Sequence, residues 1–206
     1  MRYLHVALLL PLLSHAARAD DVRVDPDDRS NKVTRIDAGV WELDLGAVGV
    51  LAHDSDAGMS VTRASADGAI QLNYFVMNNV SVGAEVLVQY DTIGGGNNSV
   101  TFGGALDATA HLRLGHGLFW RTGIALGGLA GHRNSAVSPG MVTQASESAF
   151  LARISFPLEY FTTHRFLIEA GPQLNFETGS YTPTSAGSVS FTRVTGGFAV
   201  GAGYMF

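Results

Sequence analysis

Cysteine is absent from all 206 residues, so the chain has neither a disulfide framework nor a thiol-based metal site. Lysine is nearly absent as well. Lys32 stands alone beside 12 arginines, with no basic stripe of the kind that tracks phosphates, and nucleic acid is not an expected partner. Charged side chains make up only 15% of the sequence, where a soluble domain carries about 25%. Glycine, in contrast, occurs 25 times. Low charge with high glycine suits a wall that faces lipid on one side and packs small side chains on the other.

The amino terminus reads as an export signal. Met1-Arg2-Tyr3-Leu4-His5 is a short basic segment, residues 6–13 are apolar, and Ala17-Arg18-Ala19 supplies a small-x-small cleavage site. The apolar core is far shorter than the roughly 20 residues a spanning helix needs, so residues 1–19 are expected to be removed after Ala19. Residues 20–37 are polar and charged and contain Pro26. They offer too little apolar surface to offset chain entropy and are expected to form a disordered periplasmic leader. Asp25, Asp27 and Asp28 could attract calcium, but the EF-hand spacing and its glycine are missing, and a solvated tail is the expectation.

From residue 38 the pattern alternates at period two in eight runs, at about 38–52, 64–76, 80–92, 100–114, 118–131, 149–161, 165–177 and 188–206. The cleanest run sets Val80, Val82, Ala84, Val86, Val88 and Tyr90 against Ser81, Gly83, Glu85, Gln89 and Asp91. The last run sets Val194, Phe198, Val200, Ala202, Tyr204 and Phe206 against Phe191, Arg193, Thr195, Gly197, Gly201 and Gly203. Short turns at 77–79, 115–117 and 162–164 alternate with long polar connections at 53–63, 94–98, 132–148 and before residue 188. This layout predicts an all-β fold: an eight-stranded antiparallel transmembrane barrel, with both ends in the periplasm. Aromatic side chains bracket an aliphatic band, with Trp41, Tyr74, Trp120, Tyr160, Phe166, Tyr204 and Phe206 near the short turns. Tyr90, Phe102, Phe150 and Phe176 lie near the long connections. A soluble lipocalin-type barrel would place apolar groups inside and charges outside, the reverse of this pattern. The domain expectation is therefore a signal at 1–19, a leader at 20–37 and a barrel at 38–206.

Two stretches carry a family resemblance. Residues 72–84, Leu-Asn-Tyr-Phe-Val-Met-Asn-Asn-Val-Ser-Val-Gly-Ala, and the terminal Gly203-Tyr204-Met205-Phe206 resemble the small OmpA-like and OmpX-like outer-membrane barrels. The resemblance implies a monomer in the bacterial outer membrane, in contact with lipopolysaccharide and other outer-membrane lipid. It also implies that Tyr204 and Phe206 form a signal read by the barrel-assembly machinery. It specifies fold more sharply than function. The peptidoglycan anchoring of two-domain relatives is not expected here.

The inward face of such a barrel would collect Glu42, Asp44, Glu85, Glu159 and Glu169 with His111, Arg113 and Arg121 in its periplasmic half. Asp67, Asp91, Asp107 and Glu177 would lie higher, with Arg153 and Arg193. An eight-stranded barrel is barely wide enough for its own side chains, so these charges are expected to pair and plug it. The inward Gly and Ala residues argue for some residual space, and a narrow ion or small-solute path is the alternative. The neighbouring Glu42 and Asp44 are read as salt-bridged rather than as an acid–base pair. His53-Asp54-Ser55 has the His-x-Ser spacing of a lipid A deacylase family, and a His and Ser in phase could share a proton. Asp56 replaces the Asn expected after the Ser, and no acid is identifiable to orient His53, so the chain is expected to be non-enzymatic. No cofactor is expected, and His111, His116, His132 and His164 show no metal-binding spacing.

Overall fold

The computed structural model describes residues 22–24, 33–56, 59–93, 97–115, 117–138, 141–183 and 187–206. The proposed signal at 1–19, the acidic Asp25, Asp27 and Asp28, and His116 lie outside these residues. Eleven strands lie among the described residues: β1 (Val22–Val24), β2 (Val33–Ile36), β3 (Trp41–Asp56), β4 (Met59–Met77), β5 (Val80–Ile93) and β6 (Asn97–Gly115), followed by β7 (Leu118–Ser138), β8 (Met141–Ser155), β9 (Leu158–Phe161), β10 (Phe166–Pro183) and β11 (Val189–Met205). β8 and β9 are two halves of one stave. Their register against β7 runs on across Phe156 and Pro157, from Ser155 opposite Gly123 to Leu158 opposite Trp120. Pro157 has no N–H to give the ladder, which breaks the regular pattern there, but its carbonyl accepts from Arg121 N at 2.9 Å.

Eight antiparallel staves thus form a ring, β3 through β8/β9, then β10 and β11, closed by pairing of β11 with β3. Closure extends to the final residue, where Trp41 and Phe206 exchange both backbone hydrogen bonds at 2.9 Å. Among the described residues no barrel strand is left with a free edge, as a strand in hydrocarbon requires. The alternation seen in the sequence is the alternation of the wall. Leu106, Leu126, Ile124 and Val86 point outward and are more than half exposed, whereas Glu42 and Glu159 inside are 0% exposed. A wall that is apolar outside and ionic inside excludes the lipocalin arrangement.

The short turns use the backbone freedom their residues allow. Asn79 takes φ 60° and Gly115 and Gly117 take 127° and 76°, all in the left-handed region. The long connections differ from expectation. The segments read as polar loops at 53–63 and 132–148 are mostly ladder: β3 pairs β4 out to Asp56 and Met59, and β7 pairs β8 out to Ser138 and Met141. Backbone pairing does not need an apolar face, so the strands continue where the lipid-facing pattern has ended.

The leader also differs. Residues 33–37 are ordered: β2 pairs with β1, and Val33, Ile36 and Val40 are buried against Phe75, Phe119, Phe161, Leu167 and Met205. Ile36 N donates to Asn79 Oδ1 at 2.8 Å, and Asn79 N donates back to the Ile36 carbonyl at 2.9 Å. Arg35 pairs with Asp37 beside them. The three apolar residues gain a floor of aromatic side chains to bury against, and that compensates for ordering the backbone. They close the short-turn end of the barrel.

Candidate functional site: the charged lumen

Above this floor the lumen is filled by polar side chains in tiers. In the lowest tier, Arg121 on β7 reaches Asp44 of β3 and Glu159 of β9 at 3.2 Å each, and Glu169 of β10 at 3.0 Å. His111 Nε2 lies 3.2 Å from Glu159. Asn73 Nδ2 donates to Glu42 at 3.3 Å and to Asp44 at 3.2 Å. Arg121 also donates to Gln71, which in turn donates to Asp107 at 2.7 Å. Arg121 is well placed for this role because the Pro157 carbonyl fixes its backbone at the interruption in the neighbouring stave.

The middle tier is a single pairing, Arg153 to both oxygens of Glu85 at 2.8 and 2.9 Å, with Arg153 Nε donating to Asn175 at 3.2 Å. In the upper tier Arg193 of β11 contacts Glu177 at 2.9 Å, Asp91 at 3.0 Å and Glu147 at 3.4 Å. Gln89 donates to Glu177 and Ser99 to Asp91. Arg133 lies 3.9 Å from Glu147 and stacks over the Tyr181 ring at 4.7 Å. Asp67 faces the same interior and is buried.

Most residues expected in the lumen are therefore in it, with exceptions. Arg113 is exposed near the turn at Gly115–Gly117, where the β6–β7 register shifts, and it takes no part in the network. Asp107 belongs with Gln71 near the base rather than in the upper group. Arg133 and Glu147 had been hidden inside a stretch read as loop. The floor residues Phe75, Phe119, Phe161, Leu167 and Met205 were also missed, although apolar residues on both faces beside each short turn were the available signal. Most of the inward glycines leave no space, though Gly46 borders a cavity and a Cβ there would meet nothing nearer than 4.0 Å. A Cβ at Gly83 would stand 2.1 Å from Asn73 Oδ1, and one at Gly203 would stand 2.2 Å from Asp44 Oδ1. A small cavity of about 50 Å³ remains, bordered by Asp44, Gln71, Glu85, Arg121, Arg153 and Glu169.

The two candidates for a hydrolytic centre, His53 and Ser55, have backbones in the outer end of β3, opposite Thr62 and Ser60. Their side chains lie outside the described residues. Tyr204 and Phe206 project outward at the base, with ring centroids 6.5 Å apart.

No family model and no curated protein matches the sequence. Solved structures do. Neisserial surface protein A (NspA) aligns over 84% of this chain and 99% of its own at 11% identity, with a TM-score of 0.56. Ail, the attachment invasion locus protein of Yersinia pestis, aligns over 83% of this chain and 100% of its own at 13% identity, with a TM-score of 0.50. At such identities the likeness is one of fold, and the fold is that of the small eight-stranded outer-membrane barrels.

Proposed function

We propose that the chain is a monomeric, non-enzymatic outer-membrane barrel that contributes to envelope integrity or surface contact, with a lumen that does not conduct. The observation that carries this reading is the filled interior: three tiers of interlocked charges stand above an apolar floor. An ion crossing it would have to break the pairings of Arg121, Arg153 and Arg193, each of which leaves a buried charge uncompensated. The hairpins beyond the lipid-facing band, polar in sequence, stay strand-paired to the outer end, where partners in the surroundings would meet them. Its floor end faces the periplasm, where the leader begins once the signal at 1–19 is removed, and the outward band with its aromatic rims contacts lipid and lipopolysaccharide. Planar-bilayer recordings on the refolded protein, with lipid A mass analysis on the same preparation, test the proposal. A silent bilayer and unchanged lipid A are expected. Steady unitary currents would replace it with a narrow channel. Removal of an acyl chain, abolished by His53→Ala and Ser55→Ala, would replace it with a hydrolase.

A further inference from the structure

We propose that Glu42, His111 and Glu159 form a site for one divalent cation of the zinc type at the base of the lumen. The three residues are far apart in sequence and arrive from β3, β6 and β9, which is why no spacing in the sequence betrays them. One ligand atom from each lies within 4.8 Å of the other two, and all three residues are buried. His111 Nε2 and a Glu159 oxygen are 3.2 Å apart. Zinc bonds of about 2.0–2.1 Å place neighbouring ligand atoms about 3.3 Å apart in a tetrahedron, so this edge is already formed. An imidazole nitrogen facing a carboxylate oxygen at that distance needs a positive centre between them, either a proton or a metal. Glu42 supplies the second observation. It is 0% exposed, and its Oε1 has no hydrogen-bond partner. Its Oε2 accepts from Asn73, the sort of outer contact that orients a ligating carboxylate.

Charge balance points the same way. Four buried carboxylates, Glu42, Asp44, Glu159 and Glu169, share one guanidinium, that of Arg121. Arg121 is committed to Asp44 and Glu169 as well as to Glu159, leaving the Glu42 side of the cluster without a cation. A divalent ion there offsets much of the surplus, in a pocket walled from below by the Phe75 ring, 5.1 Å from His111, and the rest of the floor. One imidazole and two carboxylates, with water as a fourth ligand, are ligands that zinc accepts.

The test uses the full chain without a histidine tag, refolded in detergent with and without Zn²⁺ because the floor closes the site from below. Metal content after dialysis against a competing chelator is then measured. About one Zn²⁺ per chain is expected in at least one preparation. Glu42→Gln and His111→Gln should each weaken retention about tenfold or more, and His164→Ala, in an exposed turn, should not. Heat-modifiable gel mobility identifies the folded fraction for each variant. Cobalt-loaded wild type should show the visible absorption of a tetrahedral nitrogen–oxygen site, a readout independent of any variant's folding. Folded wild type that retains no metal would mean that a proton alone holds the cluster, and the proposal fails. Stoichiometric binding that survives in the Glu42→Gln/His111→Gln double variant would place the metal elsewhere and overturn it equally.

Discussion

The two ends of the lumen solve the same electrostatic problem differently. At the upper end Arg133 and Arg193 face Asp67, Asp91, Glu147 and Glu177, two negative charges in surplus. Both guanidiniums lie against aromatic rings, Arg133 on Tyr181 and Arg193 on Phe191, which offsets part of their desolvation. At the lower end Arg121 alone stands among Glu42, Asp44, Asp107, Glu159 and Glu169, four in surplus before His111 is counted. The apolar floor covers that end, and the cavity of about 50 Å³ beside Asp44 and Glu169 has room for little water to disperse the excess. The comparison teaches that a charge-filled lumen need not be neutral tier by tier. The upper tier spreads its surplus over two arginines, whereas the lower one depends on a single arginine and on whatever positive charge joins His111.

The comparison breaks most visibly at Arg121. Replacement by Met removes the partner of three carboxylates at once, and a loss of about 5 kcal/mol is expected, at the upper end for a broken buried pair. Urea titration in detergent, followed by heat-modifiable mobility, measures it. Both tryptophans, Trp41 and Trp120, lie at this end and add a local fluorescence signal. Arg193→Met should lose less, about 3 kcal/mol, because Arg133 remains beside Glu147. Arg121 holds Asp44, Glu159 and Glu169 while Arg193 holds Asp91, Glu147 and Glu177, so the double variant should lose about the sum. Equal losses at Arg121 and Arg193 would dissolve the distinction between the tiers.

The floor offers a sharper but smaller contrast. Ile36→Ala removes a fully buried side chain and should loosen the leader by about 2 kcal/mol while the eight staves stay closed. Limited proteolysis should then cut within residues 20–37 faster than in wild type, with the gel mobility of the folded barrel unchanged. Loss of that mobility would mean that the leader is part of the barrel's cooperative unit.

How much of this could be read from the sequence follows from what each feature depends on. Alternation at period two is local, and it assigned faces correctly from Leu43 to Tyr204 because one face of every strand meets lipid. The pairing of Arg121 with Asp44, Glu159 and Glu169 depends on register across four staves, and no single strand encodes it. Glu147 and Arg133 were lost because a polar stretch looks like a loop whether or not its backbone is laddered. Val33 and Ile36 looked too sparse to fold, since the floor they bury against comes from five other strands. The metal-ligand geometry at Glu42, His111 and Glu159 is likewise a product of ring closure.

The smallest predicted effect separates inward phase from inward position. Arg113 and Arg121 both sit on the inward side of the alternation, on adjacent strands, and by pattern alone they are equivalent. Their partners across the ladder differ: Arg121 stands opposite His111 within the network, while Arg113 stands opposite Phe119, whose ring fills the floor and leaves the guanidinium exposed. An exposed arginine with no buried carboxylate to satisfy contributes little, and Arg113→Ala should change stability by no more than about 0.5 kcal/mol. The same urea titration resolves this against Arg193→Met. An Arg113→Ala loss as large as the Arg193→Met loss would show that the guanidinium enters the lumen, that Phe119 does not close it, and that the lower tier has a second permanent cation. The charge surplus at the base, and with it the contrast between the two ends, would then shrink by one.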